Sequence, residues 1–153
     1  MLHIAKAELN DLDALTVLFD QYQRWLAIRP PLSQTRAFTE QRLCEQRLCE
    51  QDTCILTASR QSSMVGFVHL TPLYSLARAR RGLIINDLYV QPDSRRQGIA
   101  RALVSHALKE ARARQAACLL LQTHQSNHAA HHLFESFGFI CDVSQYYFLD
   151  VID

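Results

Sequence analysis

This 153-residue chain predicts a mixed α/β fold, one sheet with helices on both faces. Three observations predict it. Segments of strand period alternate with segments of helical period in the order β-α-α-β-β-β-α-β-α-β-β. Gln97 to Arg114 forms a strongly amphipathic helix, with Ile99, Leu103, Ala107 and Leu108 on one side. Cys118 to Thr123 is a short apolar strand of the kind buried on both faces.

The elements follow in order. His3 to Glu8 alternates apolar and polar residues as a strand does. Asn10 or Asp11 caps a helix to Ile28, with Leu12, Leu15, Leu18, Phe19, Tyr22 and Leu26 at helical spacing. Pro30-Pro31 ends it, and Ser33 or Thr35 opens a second helix through Glu50. That helix carries the tandem sequence Glu40-Gln41-Arg42-Leu43-Cys44 and Glu45-Gln46-Arg47-Leu48-Cys49. Five residues turn a helix by about 500°, so the copies do not share a face and read as a local duplication. Thr53 to Ala58 and Met64 to Thr71 form a hairpin about the turn Arg60-Gln61-Ser62-Ser63, and Leu83 to Val90 is the next strand. After the strand at Cys118, Ser126 or Asn127 caps a helix to Ser136 that Gly138 ends. Phe139 to Cys141 and Tyr146 to Val151 close the chain as strands.

Composition narrows the function. The chain is 48% hydrophobic and 20% charged, as expected of one soluble domain over residues 1–153. A net charge of +1 supplies no general field for nucleic acid or a membrane surface. No apolar run is long enough to span a bilayer and no signal peptide is visible, so a cytoplasmic location is expected. The five cysteines lack C-x-x-C spacing and are expected to be reduced.

The stretch from Asn86 to Ala100 carries the most chemistry. It reads as an apolar strand, a turn, and then R-x-x-G-x-A opening a helix. A helix N-terminus offers unpaired N–H groups and positive potential, a setting for pyrophosphate. The alternative is a plain connection with a closely packing glycine. Arg95, Arg96 and Arg101 cluster here, and Arg78, Arg80 and Arg81 form a second group whose simpler role is a solvated surface.

These residues resemble the GNAT superfamily of acyl-CoA-dependent N-acyltransferases. The resemblance also rests on the Asp87-Leu88-Tyr89-Val90 strand before the motif and the Leu119-Leu120-Leu121 strand after its helix. A third part is Asn127-x-x-Ala130-x-x-Leu133-Phe134-x-x-x-Gly138-Phe139, which departs at one position from the family pattern N-x-x-A-x-x-L-Y-x-x-x-G-F. It covers residues 60–150, and the first helix with Phe38-x-x-x-Arg42-Leu43 resembles the small-amine and histone acetyltransferase-like branch.

The resemblance implies a central mixed, mostly antiparallel sheet whose parallel strands, Leu83–Val90 and Cys118–Thr123, splay around acetyl-CoA. It places the pyrophosphate on the N–H groups of Arg96, Gln97, Gly98, Ile99 and Ala100, where a Gly98 side chain would obstruct it. Arg95, Arg96 and Arg101 would reach the phosphates from the side. The pantetheine arm would pair with the backbone about Tyr89, at Leu88 and Val90, as an added strand. Asn127 would bond the arm from the other wall, beside Phe134, or would simply cap its helix. Tyr22 and Trp25 would shape the acceptor pocket through cation–π contact, with core packing the equal competitor. The family uses no metal, and its members commonly dimerise; Phe139–Val151 offers an edge.

Acyl transfer to an amine needs a neutral amine, a stabilised carbonyl oxygen and a departing thiolate. An alkyl ammonium with pKa of about 10.4 must first lose a proton. Relatives of this branch often carry Glu where this chain has Asn86, which cannot serve as base. Asp87 is the neighbouring carboxylate, and a bulge in its strand would aim it at the amine or an intervening water. Its alternatives are attraction of a cationic substrate or pairing with an arginine. Phe134 stands where the family's tyrosine protonates the thiolate; Tyr146, Tyr147, Tyr89 or His131 are substitutes, and direct attack needs none. Gln122 is a third neutral position. His124, His128, His131 and His132 invite a metal reading, which no nearby Glu or Cys completes. The expectation is an acetyl-CoA-dependent N-acetyltransferase acting on a primary amine of a small molecule. A protein lysine or N-terminus and a non-catalytic acyl-CoA-binding module are the alternatives.

Overall fold

The computed structural model describes residues 1–49, 52–142 and 147–151. It divides into two compact units, Met1–Gln122 and Thr123–Asp153. The first holds β1 (Leu2–Lys6), α1 (Leu12–Trp25), α2 (Leu32–Leu48), β2 (Cys54–Arg60), β3 (Ser63–Ser75), β4 (Arg80–Val90), α3 (Ile99–Ala113) and β5 (Leu119–Leu121). The second holds α4 (His128–Ser136).

The strands form one mixed sheet in the order β1-β2-β3-β4-β5, antiparallel except for the parallel β4–β5 pair. Alternation along the strands sorts the core into two layers. Leu56, Val68, Leu70, Leu83 and Ile85 meet Ile99, Leu103, Ala107 and Ala111 of α3 on one face. Ile55, Phe67 and Tyr89 meet Leu15 and Leu18 of α1 and Leu43 of α2 on the other. The duplicated segment in α2 behaves as its geometry requires: Leu43 is buried, while Leu48, five residues on, is exposed.

Gln61 and Ser62 link β2 to β3 with φ of 51° and 65°, as a two-residue hairpin turn of the favoured twist demands. β3 runs past the expected end at Thr71 because Pro72 lies beyond Leu70, the last residue paired with β2, where that edge needs no donor.

Three expectations are corrected. β5 spans only Leu119–Leu121 and is half-buried rather than covered on both faces, because among the described residues it pairs only with β4 and ends the sheet. Phe139 to Cys141 is not a strand: the Phe139 N–H turns back to the Phe134 carbonyl at 3.1 Å, and Ile140 is exposed. No strand occupies the described residues 147–151 either, where Tyr147, Phe148 and Leu149 are exposed; Tyr146 lies outside the described residues. Among the described residues no helix is long and apolar enough to cross a membrane.

Gly66 marks the closest approach of β3 to β4. A Cβ there would stand 2.8 Å from the Tyr89 carbonyl oxygen, a backbone atom held in the sheet. Gly66→Ala is therefore expected to destabilise the fold by about 1–3 kcal/mol, read as a lowered urea midpoint at unchanged slope.

Candidate active site

The site begins with one extra residue in β4. His69 pairs with Asp87 but Leu70 pairs with Ile85, so Asn86 bulges from the ladder. Leu83 and Ile85 face α3, as do Leu88 and Val90, three residues further on rather than two. Asp87 and Tyr89 thereby turn toward α1. The Asn86 amide donates to the Thr71 hydroxyl and is exposed at the bulge.

Asp87 is held on both oxygens. The Tyr22 hydroxyl donates to Oδ1 at 2.9 Å, and His69 Nδ1 lies 3.0 Å from Oδ2. His69 Nε2 in turn lies 2.9 Å from the Thr53 hydroxyl. Burial, then the Asp87 charge and its hydrogen bond, push the Tyr22 phenol well above its ordinary range, so it acts as a fixed donor. The arginine pairing considered for Asp87 is replaced by this tyrosine and histidine. Neither His69 nor Thr53 stands out in the sequence. The available signal is that strand Met64–Thr71 carries one histidine and strand Leu83–Val90 one carboxylate, His69 and Asp87.

The Tyr22 ring that reaches this carboxylate belongs to an aromatic cluster. Tyr22 stacks at 5.5 Å from both Phe67 and Tyr89, and Trp25 at 6.1 Å from Tyr89. Trp25 is half-exposed. The Arg95 guanidinium lies 5.3 Å from the Trp25 ring centre and 5.6 Å from that of Tyr89, so these ring faces already receive a cation.

An open strand edge lies alongside. β4 and β5 pair only from Leu83 with Leu119 to Ile85 with Leu121, whereas β4 continues to Val90. The Gln91 N–H donates to Val65 O of β3 at 2.8 Å, so by alternation Leu88 and Val90 turn their backbone groups away from β3. Arg95 Nε takes the Val90 carbonyl at 2.9 Å, so Arg95 in this state is engaged at the strand edge. Beyond it, Arg96 at φ 62° and Gly98 at φ 79° are left-handed, and α3 begins at Ile99. Among the described residues no carbonyl takes the N–H groups of Gly98, Ile99 or Ala100. A Cβ on Gly98 would meet nothing within 4 Å, so glycine is required there by backbone conformation while the space beside it is open. The Gln97 side chain bonds the Asp93 carbonyl and receives Arg60.

In the second unit, Asn127 caps α4, its Oδ1 accepting from the Ala130 N–H at 3.2 Å. Phe134 is buried with its ring edge-on to Phe139 at 5.7 Å. His131 Nε2 is 3.1 Å from the His124 carbonyl and His124 Nδ1 is 2.7 Å from the Ser126 hydroxyl. Among the described residues no three His, Cys, Asp or Glu side chains gather as metal ligands.

A mixed sheet clasped by α1 and α2 on one face and α3 on the other, its parallel β4–β5 pairing ending at Ile85 while β4 runs on toward R-x-x-G-x-A, is the fold of the acyl-CoA-dependent N-acyltransferases. Residues 17–139 match the Acetyltransferase (GNAT) family, and the chain belongs to it. It is an acyltransferase of a family whose co-substrate is acetyl-CoA. The chain is 33% identical to the uncharacterized N-acetyltransferase YhfO of Bacillus subtilis (strain 168), over 90% of this chain and 89% of that one. A crystal structure of a probable acetyltransferase superposes with a TM-score of 0.87 at 31% identity, covering 99% of each chain. The ribosomal-protein-alanine N-acetyltransferase of Brucella melitensis biovar Abortus 2308 superposes at 0.79 and 25% identity, over 98% of this chain and 99% of that one.

The Tyr22 contact predicts a stability effect with a definite sign. Its folded pKa is raised above the unfolded value of 10.0, so its contribution is complete below pH 10 and is lost as pH rises further. Denaturant unfolding from pH 8 to about 11 is expected to show this decline, and Tyr22→Phe is expected to lessen it.

Proposed function

We propose that the chain transfers acetyl from acetyl-CoA to a primary amine of a small molecule, by direct attack in a ternary complex. The observation that carries this reading is Asp87. It is a carboxylate fixed by two partners, one of them Tyr22, whose ring packs on the Trp25 and Tyr89 rings that receive a cation, and it is next in sequence to Leu88 on the open strand edge. A carboxylate beside ring faces suits an organic ammonium.

Acetyl-CoA supplies the activated thioester. The unclaimed N–H groups of Gly98, Ile99 and Ala100, with those of Arg96 and Gln97, fit its pyrophosphate, and the open space at Gly98 admits it. Arg96 and Arg101 are the arginines assigned to the phosphates, and Arg95 joins them on leaving Val90. The backbone of Leu88 and Val90 aligns the pantetheine arm, and the Leu88 N–H polarises the thioester carbonyl. Asp87 receives the ammonium proton, directly or through one water, and Tyr22 holds it in place. Trp25, half-exposed beside Tyr22, receives the carbon chain of the acceptor.

A protein N-terminus is the second reading, favoured by the likeness to the Brucella enzyme, whose description names a ribosomal-protein alanine. Assay of CoA release against polyamines, amino acids, aminoglycosides and alanine-initiated peptides separates the two. Turnover confined to small amines supports the first reading, preference for peptides supports the second, and tight CoA binding without turnover contradicts both.

Two variants test the assigned roles. Asp87→Asn is expected to lower kcat/KM by about 10²-fold or more and to abolish the acidic limb of its pH profile. Gly98→Ala is expected to raise the acetyl-CoA KM by about tenfold, equivalent to about 1.4 kcal/mol, with the acceptor KM unchanged.

A further inference from the structure

Arg95 stands where the open strand edge meets the aromatic cluster. Its Nε donates to the Val90 carbonyl at 2.9 Å, and its guanidinium lies 5.3 Å from the Trp25 ring centre and 5.6 Å from that of Tyr89. Among the described residues no carboxylate pairs with it, whereas Arg24, Arg36, Arg42 and Arg114 each have one. Arg95 is therefore a full positive charge held by one neutral oxygen and two ring faces. A diphosphate competes well for such a group, because it offers negative charge and several oxygens to the planar guanidinium fork.

We propose that Arg95 is a latch, whose own cation covers the aromatic wall of the acceptor site until the diphosphate of acetyl-CoA draws it away. This rests on the reading that places the diphosphate at Gly98 and the acceptor at Trp25. Each contact of Arg95 stands in for a group of the reaction. The nitrogen 2.9 Å from the Val90 carbonyl lies at the distance an amide of an added strand would take, on the edge assigned to the pantetheine arm. The guanidinium against Trp25 covers ring area and repels a second cation there. Arg95 is also the first residue of R-x-x-G-x-A, three positions before Gly98, so the anion that withdraws it binds on its own turn.

The consequence is an order of binding. Acetyl-CoA finds its N–H groups open and clears the wall as it docks, and the amine then meets a vacant ring beside Asp87. The two ligands are thereby coupled, each raising the affinity of the other by the same factor. Arg95 takes no part in bond making; it positions the site for the second ligand.

Trp25 is the only tryptophan of the chain, so its emission reads the latch. The test titrates the unmodified enzyme and R95Q with CoA, following Trp25 emission, with calorimetry to establish saturation and the urea midpoint to check folding. CoA is expected to change the emission of the unmodified enzyme. R95Q is expected to show the altered emission already when free, and no further change at saturating CoA. Equal changes in both enzymes, or saturation of the unmodified enzyme without any change, would overturn the latch. Absence of CoA binding would instead defeat the reading of the diphosphate site. The acceptor side is probed with n-propylammonium chloride. Its affinity for the unmodified enzyme is expected to rise at least about fivefold when CoA is present, and to be independent of CoA in R95Q. Equal affinity in the unmodified enzyme with and without CoA overturns the latch, while no binding in any state contradicts Trp25 as the acceptor wall. Should R95Q not fold, the Arg95 Nε–H resonance of the unmodified enzyme decides: its shift on CoA addition supports the proposal, and its persistence overturns it.

Discussion

The bulge at Asn86 is the constraint on which the rest of the structure depends. Unbroken alternation from Leu83 and Ile85 would send Asp87 against the apolar face of α3, where an unpaired carboxylate costs several kcal/mol. It would also turn Leu88 and Val90 toward α1. The extra residue lets one strand serve two layers. Before it, Leu83 and Ile85 build the α3 core; after it, Leu88 and Val90 rejoin that core while Asp87 faces Tyr22 and His69.

The same strand changes partners at the same place. Up to Ile85, β4 is bonded on both sides, by β3 and β5; from Asn86 onward it keeps only β3. A half-satisfied strand edge inside a sheet is costly unless something completes it. Here Arg95 takes the Val90 carbonyl, and its guanidinium rests on Trp25 and Tyr89. The arginine at the head of R-x-x-G-x-A thus links the open edge to the aromatic wall, two features far apart in the sequence.

Much of the fold was legible because its signals are local. The helical periodicity of α1 and α3 and the turn residues at Gln61-Ser62 each follow from a short window. So does the glycine at position 98, whose left-handed backbone favours glycine and beside which the space is open. What was not legible depends on pairing. The extent of β3 past Pro72 depends on where β2 ends, and the reduced burial of β5 on its place in the sheet. The absence of a strand at Phe139–Cys141 goes with a Phe139 N–H that bonds back to the Phe134 carbonyl at the end of α4, which apolar composition alone does not reveal. The candidate site divides in the same way. The anion-binding turn is contiguous and readable, and the resemblance named Asp87 and Tyr22. His69 and Thr53 come to Asp87 only through the β2–β3–β4 register, which the bulge resets.

Amide hydrogen exchange with and without CoA tests the central claim most directly, because it reads the backbone groups themselves. The account predicts that CoA slows exchange at Leu88 and Val90 together with Gly98, Ile99 and Ala100, leaving β1 and β2 unaffected. CoA bound at saturation with exchange unchanged at these five amides would contradict it.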